Sequence, residues 1–430
     1  MTFWFRHMTR RERRTFWACF SGWALDAMDV QLYAVIMPTL ISVWALTRSE
    51  AGLLATSALV TSSFGGWLAG MLADRIGRVR VLQLTILWFS VFTFLSGFTN
   101  SFEQLLVVRS LQGLGFGGEW AAGAVLMAEV IRPELRGRAV GSVQSGWSVG
   151  YGAAALLFTG MFTLFPPEQA WRYLFFMGIL PAVAVFFIRR HVDEPEIFAA
   201  AQRRDGAPAE ASLLFDIFRA PLRRSTVVAS LLAAGTLGGN YTILTWLPTY
   251  LRTERQLDVL STGGYLAVNI LGSFCGYVVS AHLSDWLGRR RTFVLCATLA
   301  AATIAVYTLA PLGRTATLLL GFPLGFFQSG IVAGIGATFA ELFPTYIRAT
   351  GQGFSYNVGR AVGSMLPFVV GYASATMRLG SAISACALGA YTLVLIAVVF
   401  LPETRGTTLQ QDRHPAPLPI DPALAAEVSK

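Results

Sequence analysis

The sequence predicts an all-α membrane protein with twelve transmembrane helices in two pseudo-symmetric six-helix halves and both termini in the cytoplasm. Three observations predict it. The chain is starved of charge, its apolar residues are gathered into helix-length runs, and its basic residues fall on one side of those runs.

The composition comes first. Of 430 residues, 54% are hydrophobic and 13% charged, and the mean hydropathy is +0.56. A soluble domain carries about 25% charged residues, so most of this chain lies where charge is costly. A spanning helix needs about 20 mostly apolar residues, and only helices or closed barrels satisfy the backbone in lipid. Runs such as Val81 to Phe98 are continuous and do not alternate as barrel strands do. The spans are therefore helices, read near 15–44, 50–73, 80–99, 103–129, 138–165, 170–188, 225–251, 259–283, 292–311, 315–340, 350–376 and 379–401.

The chain carries 32 arginines and a single lysine, Lys430. With a cytoplasmic N-terminus, 25 of these 33 basic residues fall in cytoplasmic segments. Six fall on the opposite side, and Arg109 and Arg360 remain inside spans. This bias places both termini in the cytoplasm. It also accounts for the net charge of +9 without a nucleic-acid partner. The basic start runs into a full-length apolar span with no small-residue cleavage site, so no removable signal peptide is expected. Cys19, Cys275, Cys296 and Cys386 lie in apolar runs without metal-like spacing, and no metal and no cofactor are expected. His7, His191, His282 and His414 fall outside the span interiors, and no nucleophile–base constellation supports an enzyme.

The polar segment 189–224 separates six spans from six. The expected organisation is a first bundle at 1–188, a cytoplasmic linker at 189–224, a second bundle at 225–401 and a cytoplasmic tail at 402–430. Leu213 to Phe218 reads either as a surface-lying amphipathic stretch or as plain linker helix. An internal repeat supports the division. Asp74, Gly77, Arg78 and Arg80 recur 211 residues later as Asp285, Gly288, Arg289 and Arg291, and Glu129, Arg136 and Gly141 recur 212 later as Glu341, Arg348 and Gly353. Pro38 recurs near Pro248.

The first cytoplasmic hairpin runs from Gly70 through Asp74, Arg75, Gly77 and Arg78 to Arg80. Gly77 permits a tight turn, and Asp74 can face a helix N-terminus or an arginine across the halves. The fourth span reads from Arg109 through Gln112, Gly113, Gly115, Gly117 and Gly118 to Glu119 and Trp120. Its glycines allow close helix packing. Together with Pro133 to Arg138, Phe343 to Arg348 and Pro402 to Gly406, these motifs resemble the signatures of the major facilitator superfamily over nearly the whole chain. The Asp26-Ala-Met-Asp29 run and the Gly-Gly-Glu119-Trp120 run are similar to the sialate:proton symporter group, which includes sialic acid and monocarboxylate permeases. They partly resemble aromatic-acid and metabolite symporters as well.

The resemblance implies the major facilitator fold and a monomeric, multi-pass protein of a bacterial inner membrane. It implies proton-coupled import of a small organic carboxylate by alternating access, with the substrate, protons and lipid bilayer as partners. A facilitator or exporter on the same fold is the alternative. It further implies that spans one, five, seven, ten and eleven line a central cavity. Gln31, Tyr33, Gln144, Trp147, Asn240, Tyr241, Thr245, Gln328, Tyr356 and Asn357 are the cavity candidates, and each can equally serve helix packing.

Ionisable residues at membrane depth cost at least about 2.5–3.5 kcal/mol each. They are Asp26, Asp29, Arg109, Glu119 and Arg360. Asp26 and Asp29, three apart, share one side of the first span, and burial with mutual repulsion favours a neutral acid. They read as proton sites or as structural partners of Arg109. Glu119 reads as a proton site or a packing anchor. The repeat sets neutral Asn240 opposite Asp29. Arg360, deep in the eleventh span, reads as the substrate's counter-charge or as one side of a salt bridge. Arg109 is placed nearer the outer face, snorkelling or supporting the proton site, and is grouped with the gate. The remaining gate set is Asp74, Arg75, Gly77, Arg78, Asp285, Gly288 and Arg289, with Glu129 beside Arg136 and Glu341 beside Arg348 as salt bridges.

Overall fold

The computed structural model describes residues 5, 8–131, 139, 142–183, 217–219, 222–343 and 347–404. Within its helices, the side chains at 70–71, 73–75, 78, 118–125, 128–129, 285, 340 and 348–349 lie outside the description. The candidates Asp74, Arg75, Arg78, Glu119, Glu129, Arg136, Asp285 and Arg348 therefore lie outside the described residues, as does most of the linker.

The chain is helical, with no strand among the described residues. The first half holds α1 (Arg10–Val43), α2 (Arg48–Ile76), α3 (Arg78–Ser96), α4 (Phe102–Val130), α5 (Gly146–Leu164) and α6 (Pro167–Met177). The second holds α7 (Leu222–Thr253), α8 (Val259–Leu287), α9 (Arg289–Leu309), α10 (Arg314–Leu342), α11 (Arg348–Gly363), α12 (Leu366–Ala373) and α13 (Leu379–Phe400). Helices α11 and α12 together form the eleventh span. The sequence reads 350–376 as one run, and the structure breaks it at Ser364 and Met365 because Pro367 lacks the N–H that would continue the ladder. Nine helices among the described residues are long and apolar enough to cross a membrane.

Local signals set the ends. Thr9 and Glu12 form a reciprocal capping box at the start of α1, with bonds of 2.6 and 3.2 Å. Gly77 and Gly288 turn the α2–α3 and α8–α9 hairpins with φ of +106° and +94°, a region open to glycine at little cost. The repeated motif thus makes the same turn in both halves.

Packing repeats as well. Helix α2 lies on α4 and α8 on α10; α3 lies on α4 and α9 on α10; α1 lies on α5 and α7 on α11. The halves meet where α1 touches α7, α5 touches α8, and α2 touches α11 and α12. Large apolar side chains such as Leu84, Val107, Leu156, Leu319 and Val399 stand more than half exposed on the outer surface. In water such a belt would drive aggregation, whereas lipid tails accommodate it.

Close approach is built from small residues. A Cβ on Gly150 would collide with the Ala24 carbonyl oxygen, so α5 sits against α1 two residues before Asp26. Substituting Gly150→Val should push the two helices apart. The expected overpacking cost is about 1–3 kcal/mol, read as a lower melting temperature of the purified protein in detergent, while Val149→Ala on the exposed face leaves it unchanged.

Candidate functional site

Two clusters of buried polar groups occupy the middle of the bundle. The first lies inside the N-terminal half. Asp29 and Tyr33, one turn apart on α1, face Arg109 and Gln112, one turn apart on α4. Asp29, Tyr33, Arg109 and Gln112 are all 2% exposed or less. The Gln112 amide donates to Asp29 Oδ2 and, over 2.7 Å, to Thr93 Oγ1. Its carbonyl oxygen accepts from Arg109 Nη1 at 2.7 Å. The Arg109 guanidinium lies 4.6 Å over the Tyr33 ring, and its charge acts on Asp29. Tyr33 in turn donates its hydroxyl to the Ala51 carbonyl of α2 at 2.6 Å. Arg109 is thus not a snorkelling residue: Gln112 and Tyr33 hold it inward. Tyr33 belongs with Asp29 rather than with the central chamber.

The second cluster straddles the two halves. A helix turns about 100° per residue, so Asp26 and Asp29 point about 60° apart, and the structure gives them different neighbours. Asp26 is fully buried, and its charge acts on Tyr241 of α7 and on Tyr356 and Arg360 of α11. Arg360 is 1% exposed. Its guanidinium sits 4.2 Å over the Phe116 ring of α4, and its charge acts on the Tyr241 hydroxyl. Phe116 meets Trp147 of α5 at 6.4 Å, and Trp147 meets Trp23 of α1 at 5.2 Å. A hydroxyl ladder closes one side. Ser148 of α5 reaches Ser273 of α8 at 3.4 Å, and Ser273 bonds Ser329 of α10.

This cluster is rich in idle donors. Arg360 Nε and Nη1 and the Trp23 and Trp147 indole N–H groups of this cluster have no hydrogen-bond partner among the described residues, nor have the donor Nε2 of Gln31 on α1 and the donor Nε2 and acceptor Oε1 of Gln328 on α10. Buried polar groups are nearly always paired. Such a surplus of donors beside aromatic faces suits a flat ligand rich in acceptors. Asn240 and Thr245 are buried on α7 beside it, and Gln144 is half-buried on the cytoplasmic side of Trp147. Asn357 donates its amide to Gly353 and lies against Gly66 of α2, so its polar end is committed to packing.

Several of these residues are absent from the sequence-derived candidates: Thr93, Gln112, Phe116 and Trp23. Two carried a signal, since Gln112 lies one turn from Arg109 and Trp23 one turn from Asp26.

The cytoplasmic end of the second half holds a third network. Arg289 grips Glu341 with two bonds of 2.8 and 3.1 Å and reaches Ser284 Oγ at 3.1 Å. Glu403 accepts from the backbone N–H of Arg289 and Arg290 at 2.9 and 3.2 Å, capping α9. Thr404 donates to Glu341 at 2.5 Å. The expected partner of Glu341 was Arg348, its sequence neighbour. The structure brings Arg289 to it across the α9–α10 contact, and the Arg348 side chain lies outside the described residues.

The model of the Major Facilitator Superfamily matches residues 19–367. The chain is 43% identical over 427 residues to a probable 4-methylmuconolactone transporter of Cupriavidus pinatubonensis, covering 98% of this chain and 99% of that one. It is 31% identical to the cis,cis-muconate transport protein of Acinetobacter baylyi, covering 88% and 92% of the two chains. Among solved structures, the xylose transporter XylE from E. coli in a partially occluded inward open conformation superposes with a TM-score of 0.71 at 19% identity, over 93% of this chain and 100% of that one. That likeness carries the fold alone.

Gln112 is the centre of the first cluster, with three hydrogen bonds to three partners. Gln112→Leu should leave Asp29 and Arg109 without their shared bridge and destabilise the protein by about 2–3 kcal/mol. The check is thermal unfolding in detergent against Val107→Ala, an exposed residue on the same helix.

Proposed function

The chain belongs to the Major Facilitator Superfamily and is a multi-pass membrane transporter, and on that footing we propose that it imports a small, flat organic carboxylate together with protons. The observation that carries this reading is the state of Arg360: a fully buried guanidinium, stacked on an aromatic ring, with two N–H groups unengaged. Guanidinium donors match a carboxylate in geometry. Phe116, Trp147 and Trp23 offer a hydrocarbon wall for an unsaturated cargo, and the names of the muconolactone and muconate relatives support that cargo class.

In this account Asp26 balances Arg360 while the site is empty. An arriving carboxylate takes over the guanidinium, and the aspartate left behind at membrane depth is neutralised by a proton. Asp29 serves as a second proton site, because Gln112 and Arg109 hold its carboxylate and protonation would loosen both. Glu119 stays in the proton set, and Asn240, Tyr241, Gln31, Gln144, Trp147 and Gln328 in the substrate set. Alternating access moves the halves past one another, with the Arg289–Glu341 pair and the two glycine-turned hairpins acting at the cytoplasmic gate. Each net positive charge carried inward gains about 2.3 kcal/mol per 100 mV of membrane potential. The protein works as a monomer in a bacterial inner membrane.

The test is uptake into proteoliposomes under an inward proton gradient, with 4-methylmuconolactone and cis,cis-muconate as first cargoes. Wild type should accumulate at least one of them and lose accumulation when a protonophore collapses the gradient. Arg360→Ala should reduce uptake about 30-fold or more, the cost of leaving a buried charge partner unmatched. Uptake that ignores both the protonophore and the loss of Arg360 would contradict the reading and favour facilitated diffusion through another site. Asp29→Asn should lose gradient-driven accumulation yet keep exchange of labelled for unlabelled cargo.

A further inference from the structure

The break in the eleventh span has a side chain from the other half inserted in it. In an unbroken helix the Phe368 N–H would donate to the Ser364 carbonyl, four residues back. Here the Thr56 hydroxyl of α2 stands between them. It accepts from Phe368 N at 3.1 Å and donates to the Ser364 carbonyl at 2.9 Å. Thr56 is 4% exposed. The ladder is tightened on one side of the gap, where Met365 N reaches the Val362 carbonyl at 3.2 Å, and resumes on the other, where Val369 N reaches Met365 at 3.1 Å. Pro367 has no N–H to offer, and its carbonyl is held by the Trp246 indole at 3.0 Å. A side chain entering the i to i−4 ladder is a recognised cause of a sharp kink.

The same contact seals the outer face. Gly52, one turn before Thr56, lets α2 approach so closely that a Cβ there would lie 2.6 Å from the Pro367 carbonyl oxygen. A Cβ on Gly371 would lie 2.3 Å from the Arg48 carbonyl oxygen at the start of α2. Beside it, Arg252 of α7 donates to Thr39 of α1 at 3.2 Å, a second bond between the halves at this end. Arg360 lies one turn before the break, so the clamp on Ser364 also sets where the guanidinium stands relative to Asp26 and Phe116.

We propose that Thr56 is the outer latch of the transport cycle, a positioning residue whose hydroxyl widens the break that Pro367 begins in the eleventh span while the outer face is shut and, on withdrawing, lets the Ser364–Phe368 backbone bond close so that the break narrows to the one bond Pro367 cannot make as that face opens. The exchange costs no unsatisfied backbone group, because each partner of Thr56 finds the other when it leaves. That gives the span two discrete arrangements, the kind of element that turns a small shift into a switch. The proposal rests on the alternating-access reading above but on neither the cargo nor the protons, so its test needs no substrate.

The experiment is hydrogen–deuterium exchange by mass spectrometry on the purified full chain in lipid nanodiscs. It compares wild type, Thr56→Val, Thr56→Ser and Gly52→Ala. Valine keeps the shape and removes both bonds, serine keeps the bonds, and alanine at 52 wedges the helices apart without touching the hydroxyl. Thr56→Val and Gly52→Ala should speed exchange in peptides spanning 48–56 and 366–376 by about tenfold or more, the scale of two lost hydrogen bonds. Peptides of α9 and α13 should stay as in wild type, and Thr56→Ser should behave as wild type throughout. Thr56→Val indistinguishable from wild type would overturn the latch. So would Thr56→Ser opening as far as valine, which would assign the effect to packing, and so would exchange that rises equally in α9 and α13.

Discussion

A charge at membrane depth has no water to turn to, and the arrangement of this protein follows from that constraint. Asp26, Asp29, Arg109 and Arg360 are all buried to 2% exposure or less. Each must find its compensation in another helix. Asp29 and Arg109 find theirs within one half, through Gln112, and so bind α1 to α4 as a unit. Asp26 and Arg360 find theirs across the halves, and so tie the central chamber to the relative position of the two bundles. One pair stabilises a rigid body, and the other is sensitive to its motion.

That division gives the chamber its chemical character. The second half contributes the guanidinium, the Tyr241 and Tyr356 phenols and the hydroxyls of Ser273 and Ser329. The first contributes the aromatic wall and the Asp26 carboxylate. Hydrogen-bonding groups therefore face from one side and a flat apolar wall from the other. The outer side of the chamber is closed by α2 on the broken eleventh span, and Tyr33 links that helix to the Asp29 cluster through the Ala51 carbonyl. The Asp29 cluster, α2 and the break near Arg360 are therefore joined by direct contacts.

Much of the fold was legible in the sequence. Apolar run length and the placement of arginines speak for the spans and their orientation, and the doubled Asp–x–x–Gly–Arg motif for the two halves. Gly77 and Gly288 could be read as turns because a positive φ restricts the residue type so strongly. The candidate site was legible by type rather than by partner. Rarity of charge at depth singled out Asp26, Asp29, Arg109 and Arg360, yet the direction of Arg109 depends on Gln112 and Tyr33, and a one-dimensional reading does not reveal which side a helix presents. Glu341 was read beside Arg348, and its bond to Arg289, 52 residues away along the chain, was not legible locally. The break at Ser364 was read through because the run stays apolar, although Pro367 marked it, and nothing local pointed to Thr56, 308 residues away.

The central claim is that a carboxylate and a proton cross together. The most direct measurement is lumenal pH in proteoliposomes loaded with a pH-sensitive dye, with cis,cis-muconate or 4-methylmuconolactone added outside in the absence of any imposed gradient. The account predicts that the transported acid acidifies the lumen in step with its own influx, and that Arg360→Ala abolishes both. Influx of the acid with no accompanying acidification would contradict it.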